Sequence, residues 1–294
     1  MSEYSPSMMA EMGAQSAAFR FVALLAGEVS QGQVELPAYP DVVVRVKNAL
    51  SRDDVTPVKI AQIAATEAGL AARLMTMANS AMLNTSGTPI TELKSAVVRI
   101  GYNNVRTAAV SYAVNALKQS EELKPIRKEL EVLWREAIMT ASLCWAIARQ
   151  MKRINADEAM LTGLVHNIGK VYILSRSQRM AGNKFNVLDT LPIIRDWHAN
   201  VGRAIVESWH FAPHIAEAVG EHEDRDRDVR LADMADVLQI ATRLYPSVSD
   251  PELKVPTDLS NSPAFQRLGL DNNKVLFIVD ESNEAIKTLT SALN

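Results

Sequence analysis

IRKELEVLWREAIMTASLCWAIARQM, residues 126–151, decides the fold class. Leu130, Leu133, Trp134, Ala137, Ile138, Ala141, Cys144, Trp145, Ala148 and Met151 step by threes and fours, so one helix face collects them all. The stretch predicts a long helix packed along its length, and no other segment offers an alternating strand pattern of comparable clarity. An all-α fold is expected.

Working outward, almost every periodic segment reads the same way. Thr56-Pro57 supplies an N-cap followed by proline at the first helical position. Leu70, Leu74, Met77 and Ala78 continue in the next helix, which Asn79-Ser80 finishes. Thr91 starts another, and Gly101 is read as its end, a position that favours left-handed backbone. Asn155 can cap the helix carrying Gly163-Leu-Val-His166-Asn167-Ile-Gly169-Lys170. Later helices are expected near 191–209, 213–222, 230–245, 262–267 and 272–292, with Pro192, Pro213, Pro246 and Pro263 marking boundaries. Asp41–Val44 and Lys274–Val279 are ambiguous between strand and helix. The charge-dense segment from Glu221 to Arg230 reads as a solvated loop.

Composition narrows the function. The 294 residues are long for one compact core, so one large or two modest domains are expected. A net charge of -3 gives no electrostatic case for nucleic acid, and aromatic content of 5% gives no stacking platform for single strands. The single cysteine, Cys144, suits a reducing compartment. No signal peptide and no run of roughly 20 apolar residues is visible, so no membrane association and a cytoplasmic location are expected.

A series of short signals appears in a fixed order: Leu36-Pro37-Ala-Tyr-Pro40, Leu74-Met-Thr-Met-Ala-Asn79-Ser80-Ala81, Ile90 to Ala96, Ile100-Gly101, Leu133-Trp134 and Glu158-Ala159. Gly163-Leu164 with His166, Gly169-Lys170, His198-Ala-Asn-Val201-Gly202, Trp209 with Pro213, and His222 follow. Together they resemble the HDOD domain, a signalling relative of the HD and HD-GYP phosphohydrolases. The resemblance implies a two-lobed helical bundle whose second lobe is HD-like. It divides the chain into an N-terminal helix over 1–29, an HDOD domain over 30–225 and C-terminal helices over 226–294 packing on it. Within the HDOD domain the lobes would cover about 30–120 and about 121–225.

The resemblance also sets a standard for the metal chemistry. HD-type enzymes carry a consecutive His and Asp where this chain has His166 and Asn167, and a neutral amide brings no anionic charge to a dication. The family's first histidine would fall near Ala137, on the apolar stripe. Glu223 stands where HD-GYP proteins have a second consecutive histidine. The last acid would fall at Thr242, with Asp233 and Asp236 able to substitute only in another register. His166, His198 and His222 remain, enough for a single weakly bound divalent transition metal but not for a bridged pair; no catalytic residue and no cofactor are expected. Buried imidazoles of this kind usually donate to a carbonyl, and that bland role competes with metal ligation at each site. His210 and His214 are separated by Pro213, Cys144 lies on the core stripe, and Met8, Met9 and Met12 offer an adaptable apolar face or simple packing.

The expectation is a non-catalytic regulatory protein. It would act on another signalling protein in trans, as a homodimer, or through a small anionic or nucleotide ligand held near His166, Asn167, Lys170, His198, His222 and Glu223. The alternative is a degenerate metal-dependent phosphohydrolase with residual activity on phosphodiesters or phosphomonoesters.

Overall fold

A computed structural model describes residues 23–24, 27–28, 40–84, 86–182, 186–250 and 252–293. The Leu36-Pro37 signature and Met8, Met9 and Met12 lie outside them. Among the described residues there is no strand, and the fold is all-α. The helices are α1 (Asp41–Leu50), α2 (Pro57–Ala64), α3 (Ala68–Ala78), α4 (Leu93–Gln119), α5 (Arg127–Arg149) and α6 (Ala156–Val165). They continue as α7 (Ile168–Ala181), α8 (Val187–Ser208), α9 (Pro213–Glu221), α10 (Met234–Ser249), α11 (Pro263–Arg267) and α12 (Asn272–Leu293).

Local chemistry accounts for most of the boundaries. Thr56 Oγ1 accepts from the backbone of Lys59 at the start of α2, and Asn155 Oδ1 accepts from Asp157 and Glu158 at the start of α6. Asn79 donates from Nδ2 to the carbonyls of Met75 and Ile90 and accepts from the backbone of Ile90, so it ends α3 and pins the next loop. Both ambiguous apolar runs are helical, within α1 and α12.

Four boundaries differ from the sequence reading. The helix before Gly101 begins at Leu93, with Glu92 rather than Thr91 at its edge. Gly101 takes φ 73°, which only glycine adopts cheaply, yet helix resumes at once, so it is a kink within α4. Pro192 and Pro246 lie inside α8 and α10 instead of before or after them. Pro192 removes the bond to the carbonyl of Leu188, whose residue is exposed and open to water. Pro246 falls in the last turn, where little helix remains to disrupt.

Two hydrophobic cores organise the molecule, and the 126–151 stretch belongs to both. Leu130, Trp134, Ala137, Ile138 and Ala141 of α5 enter a core with α1–α4 and α6–α9. Farther along the same helix, Leu143, Cys144, Ile147 and Ala148 enter a second core with α10, α11 and the start of α12. Helix α12 also joins the two: Val275 and Ile278 fill the second core, while Leu289 and Leu293 are buried in the first. No helix among the described residues is long and apolar enough to cross a membrane.

Candidate functional site

The histidine motif sits at a junction, not inside a helix as its sequence suggests. Helix α6 ends at Val165, His166 caps it, and Asn167 opens α7. The flanking glycines explain how this corner is held. A Cβ on Gly163 would lie 2.6 Å from Ala141 Cα and 2.8 Å from the Thr140 carbonyl oxygen, so α6 presses backbone to backbone against α5. A Cβ on Gly169 would lie 2.0 Å from the carbonyl oxygen of His198, so α7 presses equally close on α8. His166 is thereby brought to the carriers of two further imidazoles, His198 on α8 and His222 at the end of α9.

All three rings are buried and share one arrangement. Nδ1 approaches a backbone carbonyl in each: Gly163 at 2.7 Å from His166, Ile194 at 2.8 Å from His198 and Val219 at 2.9 Å from His222. A carbonyl can only accept, so each Nδ1 carries the hydrogen, and a neutral ring then holds its lone pair on Nε2. The His222 ring stands edge-on to both others, with centroids 5.9 Å from His166 and 5.8 Å from His198. Burial, followed by the nearby His166, pushes His222 down to about 3, which keeps it neutral. His198 is also lowered, chiefly by burial, with Glu223 opposing.

The Nε2 atoms of His166 and His198 are buried without a hydrogen-bond partner. Each faces a carboxylate: Glu136 Oε1 lies 3.6 Å from His166 Nε2, and Glu223 Oε1 lies 3.3 Å from His198 Nε2. Lone pair against carboxylate is unfavourable unless a proton or a cation stands between them. Burial alone would raise the carboxyl of Glu136, but with a proton on His166 Nε2 the attraction of His166, together with Lys170, outweighs it and holds the group at about 2. Lys170 Nζ donates to Glu136 Oε1 at 3.1 Å.

Asn167 points elsewhere. Its Nδ2 donates to the Leu133 carbonyl at 2.7 Å, tying the corner to α5. Glu136, His166, Lys170, His222, Glu223, Arg225, Gln239, Thr242 and Arg243 line a cavity of about 400 Å³. His166, Lys170, His198, His222 and Glu223 of the expected set are therefore neighbours, while Asn167 serves as a strut. Thr242 lies at the cavity as its register suggested, and Ala137 is buried in the core.

Two features of the site escape the sequence reading. Glu136 precedes Ala137 on the flank of the apolar stripe, and an acid one step from a stripe carries no signal that distinguishes it from an ordinary solvated residue. The segment 221–230 is not merely a solvated loop: besides the expected Glu223, Arg225 faces the cavity, and Arg227 is withdrawn from solvent. Arg227 binds Glu221, Asp233 and Asp236, and Arg267 adds a second cation to the nearly inaccessible Asp236. Asp233 and Asp236 thus anchor α10 through a capping box and this network, away from the histidines. His214 pairs with Glu158 at 3.0 Å, and His210 lies beyond α8 at φ 55°.

Comparison with known proteins fits this architecture. The family model of the HDOD domain matches residues 36–225. The chain belongs to the HDOD family. No protein of curated function matches it. Among solved structures, this HDOD chain is similar to a protein from Shewanella amazonensis SB2B provisionally named a metal-dependent phosphohydrolase: 23% identity, TM-score 0.71, covering 95% of this chain and 100% of that one. An HDOD domain protein of unknown function from Geobacter sulfurreducens aligns at 21% identity and TM-score 0.60, covering 92% and 96%. A provisionally named signal transduction protein from Marinobacter aquaeolei VT8 aligns at 16% identity and TM-score 0.59, covering 95% of this chain and 65% of that one. These likenesses share the fold.

A metal raised by such names can be tested against the donor set. The ligand atoms of His198, His222 and Glu223 lie within 4.8 Å of one another. Ligands about 2.1 Å from a tetrahedral zinc stand roughly 3.4 Å apart, close to the 3.3 Å between His198 and Glu223. One transition metal fits His198, His222 and Glu223, a different trio from the three histidines expected from the sequence. A bridged pair does not fit, because Asn167 is neutral and turned to Leu133.

Proposed function

We propose that this HDOD chain is a regulatory protein that works by binding and contact, without hydrolysing phosphoesters. One observation carries the reading: the residue that would bridge two metals is Asn167, and its amide is committed to the Leu133 carbonyl at 2.7 Å. Two-metal hydrolysis needs an anionic bridge and a pair of ions that clamp the attacking and leaving oxygens. A hydrolase must lower its barrier by at least about 8 kcal/mol, and the neutral corner supplies no group for that task. Should a single metal bind, His198, His222 and Glu223 would hold it, and it would supply Lewis acidity and fix the orientation of α8 and α9.

The signal would leave by contact with another signalling protein in trans or with a second copy of this chain. Exposed Leu188, Leu191 and Trp197 on α8, and Leu276 and Phe277 on α12, are apolar groups available for such a contact.

The test is turnover. Purified protein loaded with manganese, iron or zinc is incubated with bis-p-nitrophenyl phosphate, p-nitrophenyl phosphate and cyclic dinucleotides, and products are followed chromatographically. No product above the metal-only control is expected. Turnover abolished by His198→Ala would refute the proposal.

A further inference from the structure

The cavity beside the histidines has a chemical bias of its own. Its nine lining residues are all polar or charged, with no aliphatic side chain and no Phe, Tyr or Trp among them. Three are cations from separate elements: Lys170 on α7, Arg225 after α9 and Arg243 on α10. In a chain with net charge -3 that convergence is not a composition effect. Arg225 makes no ion pair or side-chain hydrogen bond among the described residues. Arg243 commits Nη2 to Asp258 at 2.7 Å, which leaves its other donors open. Lys170 gives one hydrogen to Glu136.

The remaining lining groups mostly accept. Glu136 and Glu223 are carboxylates, and Gln239 Oε1 is buried without a donor while its Nε2 is held by the carbonyls of His222 and Asp224. The Thr242 hydroxyl donates to the Gln239 carbonyl and can accept in turn. The Nε2 lone pair of neutral His222 accepts as well. An occupant must therefore bring an anion for the cations and several O–H donors for the acceptors. A nucleobase would find only the imidazoles of His166 and His222 to stack on and no aliphatic, Phe, Tyr or Trp side chain, whereas pockets for aromatic cofactors are predominantly apolar. The volume of about 400 Å³ lies within the range for small-molecule ligands and well above what inorganic phosphate fills.

From these features we infer that the cavity binds a small polyhydroxylated phosphate monoester of the sugar phosphate class, with its phosphate at Arg225, Lys170 and Arg243 and its hydroxyls on Glu136, Glu223, Gln239 and Thr242. The inference rests on the regulatory reading above, giving that site its ligand class.

The experiment is calorimetric titration of the full chain, freed of metal with EDTA and then desalted, using ribose 5-phosphate, inorganic phosphate and AMP as probes. Ribose 5-phosphate is expected to bind at least about tenfold more tightly than inorganic phosphate, with AMP no tighter than ribose 5-phosphate. Arg225 is exposed, so Arg225→Ala should melt with the parent and weaken ribose 5-phosphate about tenfold or more, the loss of one charge-assisted pair. Arg195→Ala, exposed on α8 and paired to Asp196, should leave the affinity unchanged. Equal affinity for ribose 5-phosphate and inorganic phosphate, AMP tighter by tenfold, no binding of any probe at millimolar concentration, or an indifferent Arg225→Ala would each overturn the inference. Release of inorganic phosphate from bound ribose 5-phosphate would instead sink the non-catalytic reading and leave the ligand class standing.

Discussion

Gly169→Ala is the sharpest test of how the histidine corner is built. The new methyl carbon would sit 2.0 Å from the His198 carbonyl oxygen, 2.8 Å from the Gly202 nitrogen and 2.9 Å from the His198 carbonyl carbon. All three are backbone atoms of α8, so no side chain can swing aside. Reaching ordinary contact at 3.4 Å requires α7 and α8 to part locally by about 1.4 Å. Overpacking of this kind costs about 1–3 kcal/mol and sometimes more. Alanine's helix propensity returns up to about 1 kcal/mol. A net loss of about 1–2 kcal/mol is expected, which for a chain of this size lowers Tm by about 2–3 °C. The clashing atom belongs to His198 itself, so its imidazole must move relative to Glu223. Urea denaturation gives the energy, and the His198 ring resonance in a carbon–proton correlation spectrum reports the displacement. Gly69→Ala is the comparison, because its Cβ would meet the Tyr112 ring at 2.7 Å, a side chain able to turn, and should cost under about 1 kcal/mol. A Gly169→Ala protein within about 0.5 kcal/mol of the parent and with an unmoved His198 signal would refute the close-packing argument.

Arg227→Met should destabilise by about 1.5–3 kcal/mol in the same denaturation assay, because it removes one of two cations from the almost inaccessible Asp236 while Arg267 still pairs with it. Burial tends to raise Asp233, but Arg227 and backbone donors prevail and hold it below its ordinary value. Its contribution is therefore complete above about pH 4 and is lost as pH falls through the lower folded value, so the acid limb of stability should be shallower in Arg227→Met. The Cys144 thiol is fully buried and raised by that burial, so native protein should leave Ellman's reagent unreacted until denaturant is added. Asn155→Ala removes the cap of α6 and should cost about 1 kcal/mol by thermal melt. Metal content after zinc loading and desalting should not exceed one per chain, and Glu223→Ala should reduce it; two per chain would contradict the role given to Asn167.

How much could be read beforehand depended on the range of the forces involved. The helices were legible because apolar spacing and capping are local: the 126–151 stripe, Thr56-Pro57 and Asn155 each encode their element within a few residues. Pro192 and Pro246 misled because a proline's cost depends on its place in the helix and on whether the orphaned carbonyl reaches water, which the sequence does not state. At the site, the three histidines stood out as buried polar groups in apolar frames. Glu136 did not, since nothing local separates an acid facing a cavity from one facing water. Arg225 and Arg227 belonged to a segment of mixed charge whose fate was decided by α10 and α11, elements that follow it in the chain. The pairing of glycines with close helix approaches was invisible for the same reason: Gly169 meets residues near 200, and only the packed structure brings them within 3 Å.

Helix α12 carries a consequence for the order in which the protein can form. Asn115 donates to the Leu293 carbonyl across 178 residues, and Leu289 and Leu293 complete a core whose first members lie in α1. That core stays open at one end until residue 293 has been synthesised. At about 5–20 residues per second, the interval between residues 115 and 293 is on the order of 10–35 s. During that time the earlier helices present an apolar gap shaped for a helix that does not yet exist, and a nascent chain of this kind is a natural client for chaperones.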